Sequence, residues 1–157
     1  NFSSLIFFVM EDWQGLLGYL EENQNSALTE QNPRHEHLVG LIRRDLHLFG
    51  VQSPAIVFED VALWNGRITH GQVDLAVVSN EDLFLIEAKT GITSERHRDR
   101  NRRSSKIISQ LRRDHDYFMK NFGVSAHLLG TYQLLDSGFR KTFPVSPQKR
   151  NAYSLAG

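Results

Sequence analysis

The amino-acid sequence predicts one α/β domain with a mixed central sheet flanked by helices. Three observations predict this class: apolar residues recur at helical spacing over 33–50, strand-like apolar runs follow over 55–89, and a helical pattern with a further apolar run occupies 104–135. The chain has 157 residues, of which 40% are apolar, so one domain can bury a core without covalent staples. It contains no cysteine, which excludes disulfides, thiolate metal sites and a cysteine nucleophile.

Two helices are expected before residue 50. The segment 11–23 carries apolar side chains on one side, at Trp13, Leu16, Leu17 and Leu20. A polar loop over 23–33 leads to a second helix, which Pro33 is expected to begin and Gly50 to end. That helix is predicted by apolar residues at helical spacing, at Leu38, Val39, Ile42, Leu46 and Phe49.

Three strands are expected to follow as an antiparallel meander. The first covers 55–64, and the dipeptide Asn65-Gly66 is a strong signal for a two-residue hairpin turn. The second strand covers 67–79, and a short polar turn separates it from the third strand over 83–89. The third strand is apolar enough to lie in the centre of a sheet.

A further helix and strand complete the predicted core. Apolar residues from Ile107 to Phe122 indicate a helix of about 18 residues that ends at Gly123, followed by a fourth strand over 125–135. A strand, a crossover helix and another strand favour parallel pairing between the third and fourth strands. From Asp136 onward the chain is basic and has no clear period, so an irregular tail is expected.

The net charge of zero hides a strong asymmetry along the chain. Residues 1–60 hold three basic and nine acidic residues, whereas 91–150 hold thirteen basic and five acidic ones. Eight of the 18 basic residues lie in 94–113. Such a segment either binds the phosphate backbone of a nucleic acid or is a solvated helix face. The expected phosphate contacts are Arg103, Lys106, Arg112 and Arg113.

Three charged residues interrupt the apolar strands. Glu87 and Lys89 are two residues apart in the third strand, so both side chains point to the same face. If the second and third strands form a hairpin, Asp74 lies close to Glu87 across the pair. Two carboxylates suit Mg²⁺ or Mn²⁺, and the chemistry that follows is phosphodiester hydrolysis. The alternative is a structural ion pair between Glu87 and Lys89, with Asp74 protecting a sheet edge.

The segment GQVDLAVVSNEDLFLIEAKTG, residues 71–91, together with the preceding helix, resembles the core motif of the PD-(D/E)XK nuclease superfamily. The resemblance covers about 33–135 and implies a restriction-endonuclease-like α-β-β-β-α-β core. It implies that Asp74 and Glu87 are metal ligands and that Lys89 is the catalytic lysine. Glu36 matches an acidic catalytic and metal-binding residue on the first core helix. Val73 stands where the motif has proline.

Two further residues belong to variants of this motif. Gln110 and Tyr117, on the helix after Glu87 and Lys89, resemble the auxiliary Q-x-x-x-Y motif of RecB-like nucleases, which implies a catalytic role for Gln110; Tyr117 is seven residues on rather than four. His35 either is a partly buried structural histidine or resembles the metal-ligating histidine of the cap-snatching RNA endonucleases of segmented negative-strand viruses.

The sequence thus predicts a metal-dependent endonuclease using Mg²⁺ or Mn²⁺, with DNA as the expected substrate ahead of RNA. The alternatives are a cap-snatching-type RNA endonuclease and a non-catalytic nucleic-acid-binding module on the same fold. A homodimer is compatible with cutting two strands. No membrane segment is expected, since the apolar run 5–9 is far shorter than the ~20 residues that span a bilayer. The lack of cysteine favours an intracellular location, in the cytoplasm or with the nucleoid or nuclear DNA.

Overall fold

In the computed structural model, five strands among the described residues form one sheet whose spatial order follows the chain. The strands are β1 (Ala55–Asn65), β2 (Ile68–Ser79), β3 (Asp82–Ile92), β4 (Ala126–Leu134) and β5 (Arg140–Val145). Strands β1, β2 and β3 pair antiparallel, β4 is parallel to β3, and β5 is antiparallel to β4. The expected meander, the parallel crossover and the mixed sheet are confirmed.

The structure describes residues 10–26, 28, 32–92, 97–135 and 137–148, and the apolar run 5–9 lies outside them. Three α-helices occur in these ranges: α1 (Trp13–Asn23), α2 (Pro33–Arg44) and α3 (His97–Phe122). Side-chain caps begin the first two, because Asp12 accepts a hydrogen bond from the Gly15 amide and Asn32 accepts one from the Arg34 amide.

The helices cover both faces of the sheet. On one face, α1 and α3 bury Leu16, Leu20, Ile107, Leu111 and Phe118 in a cluster that includes Leu83 and Leu85 of β3. On the other face, α2 buries Leu38, Val39 and Ile42 against Phe84 and Ile86 of the same strand. Successive side chains of a strand point to opposite faces, so the continuous apolar run in β3 serves both clusters. The third strand therefore lies at the centre of the sheet, as its composition predicts.

Two element boundaries in the first half of the chain differ from the prediction. The helix expected to run to Gly50 ends at Arg44, and a 3-10 turn over Leu46–Phe49 follows. Asp45 ends α2, where its carboxylate accepts hydrogen bonds from Arg44 and Arg140. The first hairpin turn is shifted by one residue: Asn65 pairs with Ile68, so the two turn residues are Gly66 and Arg67. Gly66 takes the left-handed conformation, with φ of 64°, that this turn requires.

Two predictions in the second half are also corrected. Helix α3 begins at His97, well before its apolar period. The prediction missed this first part because a polar segment without an apolar stripe gives no periodic signal. The irregular tail expected after Asp136 is wrong for Arg140–Val145, which form β5. This strand lies at the edge of the described sheet, with no strand paired on its outer side. Proline has no amide hydrogen to donate, and an edge strand tolerates this at Pro144.

The packing of β5 against β4 depends on Gly130 of β4. A Cβ at Gly130 would lie 2.6 Å from Phe143 Cζ and 2.7 Å from Ile107 Cγ2. We expect Gly130→Ala to lower the free energy of unfolding by about 1–3 kcal/mol, because the crowded side chains must leave their rotamers. Gly18→Ala is the matched control: nothing lies within 4 Å of that Cβ in α1. It should raise stability by roughly 0.5–1 kcal/mol in the same urea titrations.

Candidate functional site

The backbone ladder between β2 and β3 ends where the predicted carboxylates begin. The last paired residues are Leu75 and Ile86, so Asp74 and Glu87 are the next residues of their strands. Asp74 Oδ2 accepts a hydrogen bond of 2.8 Å from the Ala88 amide of the opposite strand. A carboxylate therefore takes the place of a backbone acceptor, and the expected proximity of Asp74 to Glu87 is confirmed.

Lys89 lies beside Glu87 on the same side of β3, as the two-residue spacing predicts. Its Nζ is 3.5 Å from Glu87 Oε1, with the lysine side chain 35% exposed and the glutamate side chain 2% exposed. Glu87 Oε2 is buried and has no hydrogen-bond partner in the described part of the chain. A buried carboxylate oxygen without a donor is costly, so a cation or proton is needed at this position.

The pKa of Glu87 also indicates that a cation or a proton is needed at this position. Burial raises the pKa of Glu87 well above its usual value, and the neighbouring charge of Asp74 raises that pKa further. Lys89 lowers the pKa but does not offset these two effects. The two carboxylates therefore resist being ionised together, and a cation bound between them would relieve this.

Helix α2 brings His35 rather than Glu36 to the carboxylates. His35 Nε2 is 3.3 Å from Asp74 Oδ1, and the hydrogen bond to Asp74 raises the pKa of His35. Glu36 is exposed and does not line the cleft. The sequence carried a signal for this, because His35 precedes Leu38, Val39 and Ile42 by three, four and seven residues and so shares their buried side of the helix.

The residues meet in a cleft of about 270 Å³ between α2 and α3. Besides Asp74, Glu87 and Lys89, its walls include Asn32, His35, Gln72, Thr90 and Gln110. Gln110 of α3 donates from Nε2 to the Gln72 carbonyl at 3.2 Å, which fixes the side chain at the wall. Of the predicted site residues, the structure thus brings together Asp74, Glu87, Lys89 and Gln110.

The predicted phosphate contacts occupy two neighbouring surfaces. Lys106 and Arg113 line a groove along α3 that Gln110 shares with the cleft. Arg112 turns away, donating to the Ser146 carbonyl, and lines a separate cavity with Arg113. Arg103 belongs to α3, but its side chain lies outside the described residues. A cationic surface therefore adjoins the carboxylates.

Two acids near the site, the half-buried Asp60 and the fully buried Asp114, are not indicated by the sequence motifs. Asp60 lies in β1 between the register pairs Glu59–Leu75 and Val61–Val73, opposite Asp74; burial, and then the charge of Asp74, raise its pKa. Asp114 is fully buried in α3, and neither of its carboxylate oxygens has a hydrogen-bond partner among the described residues.

The donor set fits a hard divalent cation with few protein ligands. Mg²⁺ needs only one or two carboxylates because it keeps several waters, and Asp74 with Glu87 supplies two. The orphaned Oε2 of Glu87 is the atom that such an ion would satisfy. Within the described residues, no group of three or more His, Asp or Glu side chains forms a ready-made metal site. The fit is therefore to an ion that shares its coordination with water and substrate oxygens.

No protein-family model matches the sequence, and no curated protein and no solved structure shows significant similarity to this chain. Function is therefore inferred from the residues and the geometry described above. None of the helices in the described ranges has the length and apolar character needed to cross a bilayer.

Proposed function

We propose that this protein is a divalent-metal-dependent nuclease that hydrolyses phosphodiester bonds, with DNA as its expected substrate. The observation that carries the proposal is the meeting of Asp74, Glu87 and Lys89 where the β2–β3 ladder ends. Two adjacent carboxylates with one lysine beside a cationic groove match the needs of phosphoryl chemistry.

The order of elements also supports a restriction-endonuclease-like core. From α2 to β4 the chain runs helix, three antiparallel strands, helix and parallel strand. This is the α-β-β-β-α-β order implied by the motif resemblance, with α1 and β5 as additions. The carboxylates lie on the two central strands of that order, which is where the motif requires them.

Asp74 and Glu87 would hold Mg²⁺ or Mn²⁺. When bound, such an ion polarises a phosphoryl oxygen and lowers the pKa of a coordinated water. Glu87 Oε1 positions the Lys89 ammonium at the cleft, where it offsets charge that develops on the attacked phosphate. Gln110, held by the Gln72 carbonyl, forms the opposite wall and orients the bound strand. Lys106 and Arg113 contact flanking phosphates in the neighbouring groove.

Cleavage assays with two site variants test this proposal. Wild-type protein should cut labelled DNA in Mg²⁺ or Mn²⁺ and not in EDTA, with single-stranded, double-stranded and branched DNA and RNA compared. Lys89→Met and Asp74→Ala should each lower the rate by roughly 10²-fold or more, the loss typical when a charge-stabilising group is removed.

Arg43→Ala is the control for these variants. It removes an exposed cation of α2 that pairs with Glu59 at 2.8 Å, outside the cleft, and should leave the rate unchanged. The nuclease proposal would be contradicted if no substrate were cut with any metal and nucleic-acid binding were insensitive to EDTA. The protein would then be a non-catalytic binding module on the same fold.

A second candidate, a cap-snatching-type RNA endonuclease, is favoured by one observation: the first core helix presents His35 to Asp74. His35→Ala should therefore lower cleavage by about 10- to 100-fold, as losses of partners that orient metal ligands do. Glu36→Ala, one residue further along the same helix and exposed, is the matched control and should change little. Preference for RNA and for Mn²⁺ would select this candidate, and equal effects of the two variants would exclude a role specific to His35.

A further inference from the structure

A cavity of about 560 Å³ lies away from the carboxylates, between α3 and the β1–β2 hairpin. Aromatic rings from three elements line it, namely Trp64, His70 and Tyr117. Three cationic side chains of α3 line it as well: Arg112, Arg113 and Lys120. One acidic side chain, Asp116, is also part of the lining. This lining suits a compound that combines a flat ring with negative charge.

The aromatic walls are held in place before any ligand binds. Tyr117 Oη donates to the Trp64 carbonyl at 2.8 Å and lies 3.0 Å from the Tyr19 hydroxyl. The Tyr19 hydroxyl in turn accepts from the Trp64 amide at 3.0 Å. The rings of His70 and Tyr117 are 5.5 Å apart. The backbone of Trp64 is thus fixed on both sides, while its side chain is 37% exposed and offers a face for stacking.

The rings that line the cavity suit a nucleobase. Nucleobases stack on Trp, Tyr and His rings, and the partly exposed Trp64 side chain offers a face for this. His70 contributes its ring, whose buried Nε2 has no hydrogen-bond partner within the described residues.

The cavity and the proposed catalytic cleft each adjoin the groove along α3. Ser109 and Arg113 line both the cavity and the groove, and Gln110 lines both the groove and the cleft. A polynucleotide that passes the carboxylates can therefore follow the cationic side chains of α3 into the cavity.

We propose that this cavity binds an unpaired nucleotide of single-stranded nucleic acid, with its base on Trp64 and Tyr117 and its phosphate on Arg112 and Lys120. The inference rests on the proposed function for the strand that reaches the cavity, and it adds the substrate class. The protein takes strands with unstacked bases, since a paired base cannot leave its duplex without loss of pairing and stacking. Stacking tolerates any base, so sequence preference is weak.

Binding measured in EDTA separates this inference from catalysis. The probe is a labelled single-stranded DNA of about 12 nucleotides, within the length that one such surface covers, with RNA of the same sequence as a second arm. Trp64→Leu should weaken binding by roughly 5- to 100-fold, the loss expected when one stacked base is released. Ile68→Ala is the matched control, because Ile68 is exposed on the same hairpin and does not line the cavity.

A second measurement changes the probe bound by the wild-type protein. An oligonucleotide with abasic positions keeps its phosphates and loses its bases, so it should bind as weakly as the intact strand binds Trp64→Leu. Lys120→Gln should reduce the salt dependence of binding, whereas Lys141→Gln on β5, outside the cavity, should not.

The outcomes are distinguishable from those of the nuclease proposal. Weakened binding by Trp64→Leu in a protein that never cuts supports the nucleotide cavity and overturns the nuclease. Equal affinity for intact and abasic strands, with Trp64→Leu binding like the wild type, overturns the nucleotide cavity whether or not cleavage occurs.

Discussion

Glu87→Gln is expected to stabilise the metal-free protein and to abolish cleavage at the same time. Burial and the charge of Asp74 raise the pKa of Glu87 in the folded state. An acid whose pKa rises on folding loses stability as the pH climbs above its unfolded value, since the unfolded chain releases the proton first. Glutamine has nearly the same shape and no charge. In EDTA at about pH 8.5 the variant should be more stable by roughly 1–4 kcal/mol, the range in which uncharged replacements of buried ionised groups stabilise proteins.

Addition of Mg²⁺ should make the wild type more stable than the Glu87→Gln variant. Mg²⁺ that binds the folded wild type raises its melting temperature by mass action, and the variant lacks one of the two carboxylates that we propose hold the ion. Thermal unfolding with and without Mg²⁺ checks both statements. Glu81→Gln, in the exposed turn between β2 and β3, is the matched control and should change neither melting temperature. A Glu87→Gln protein less stable than the wild type in EDTA would contradict the picture of an overcrowded carboxylate pair.

The charged residues of the central strands were predictable because local patterns fix their position. Alternation places Glu87 and Lys89 on one face, and a short polar turn pairs β2 with β3 so that Asp74 arrives opposite Glu87. The apolar content of β3 further places the set in the centre of the sheet. No long-range information is needed for any of these steps.

The contribution of α2 was harder to predict because it depends on the rotation of a helix about its axis. His35 and Glu36 differ by about 100° around that axis, so an error of about half that angle in the assumed buried side exchanges them. The cap at Asn32 and the packing of Leu38 against the sheet set the rotation. The sequence shows the stripe but not where the helix lies over the sheet.

Features built from distant segments could not be predicted from the sequence. Trp64, His70 and Tyr117 meet only because α3 crosses the β1–β2 hairpin, and nothing in their spacing along the chain indicates it. The edge strand β5 pairs with β4 through backbone hydrogen bonds, which a basic segment with Pro144 does not indicate. In both cases, contacts between distant segments outweigh the weak local preferences of the sequence.

Asp114→Asn should produce a stability gain that grows with pH. Burial raises the pKa of Asp114 from its ordinary value of 3.8 to about 7; the nearby Arg113 lowers the pKa and the charge of Asp74 raises it, but neither offsets burial. Near pH 4 the folded protein holds Asp114 protonated, and asparagine then mimics it closely. As the pH rises to 7, the unfolded chain releases the proton more easily than the folded one, so the wild type loses stability that the variant keeps.

The difference in unfolding free energy between variant and wild type should therefore be near zero at pH 4. It should reach a plateau of roughly 2–4 kcal/mol above pH 7, because a tenfold difference in proton affinity between the folded and unfolded states is worth about 1.4 kcal/mol. Urea titrations across this range measure it. Asp116→Asn, two residues along the same helix and exposed, should show no such rise.

A gain that does not change with pH would mean that Asp114 ionises equally in both states. The predicted slope instead requires that its buried carboxyl group stay protonated in the folded protein up to about pH 7. Below that pH, Asp114 would be a neutral wall for the carboxylates of β2 and β3 rather than a third charge.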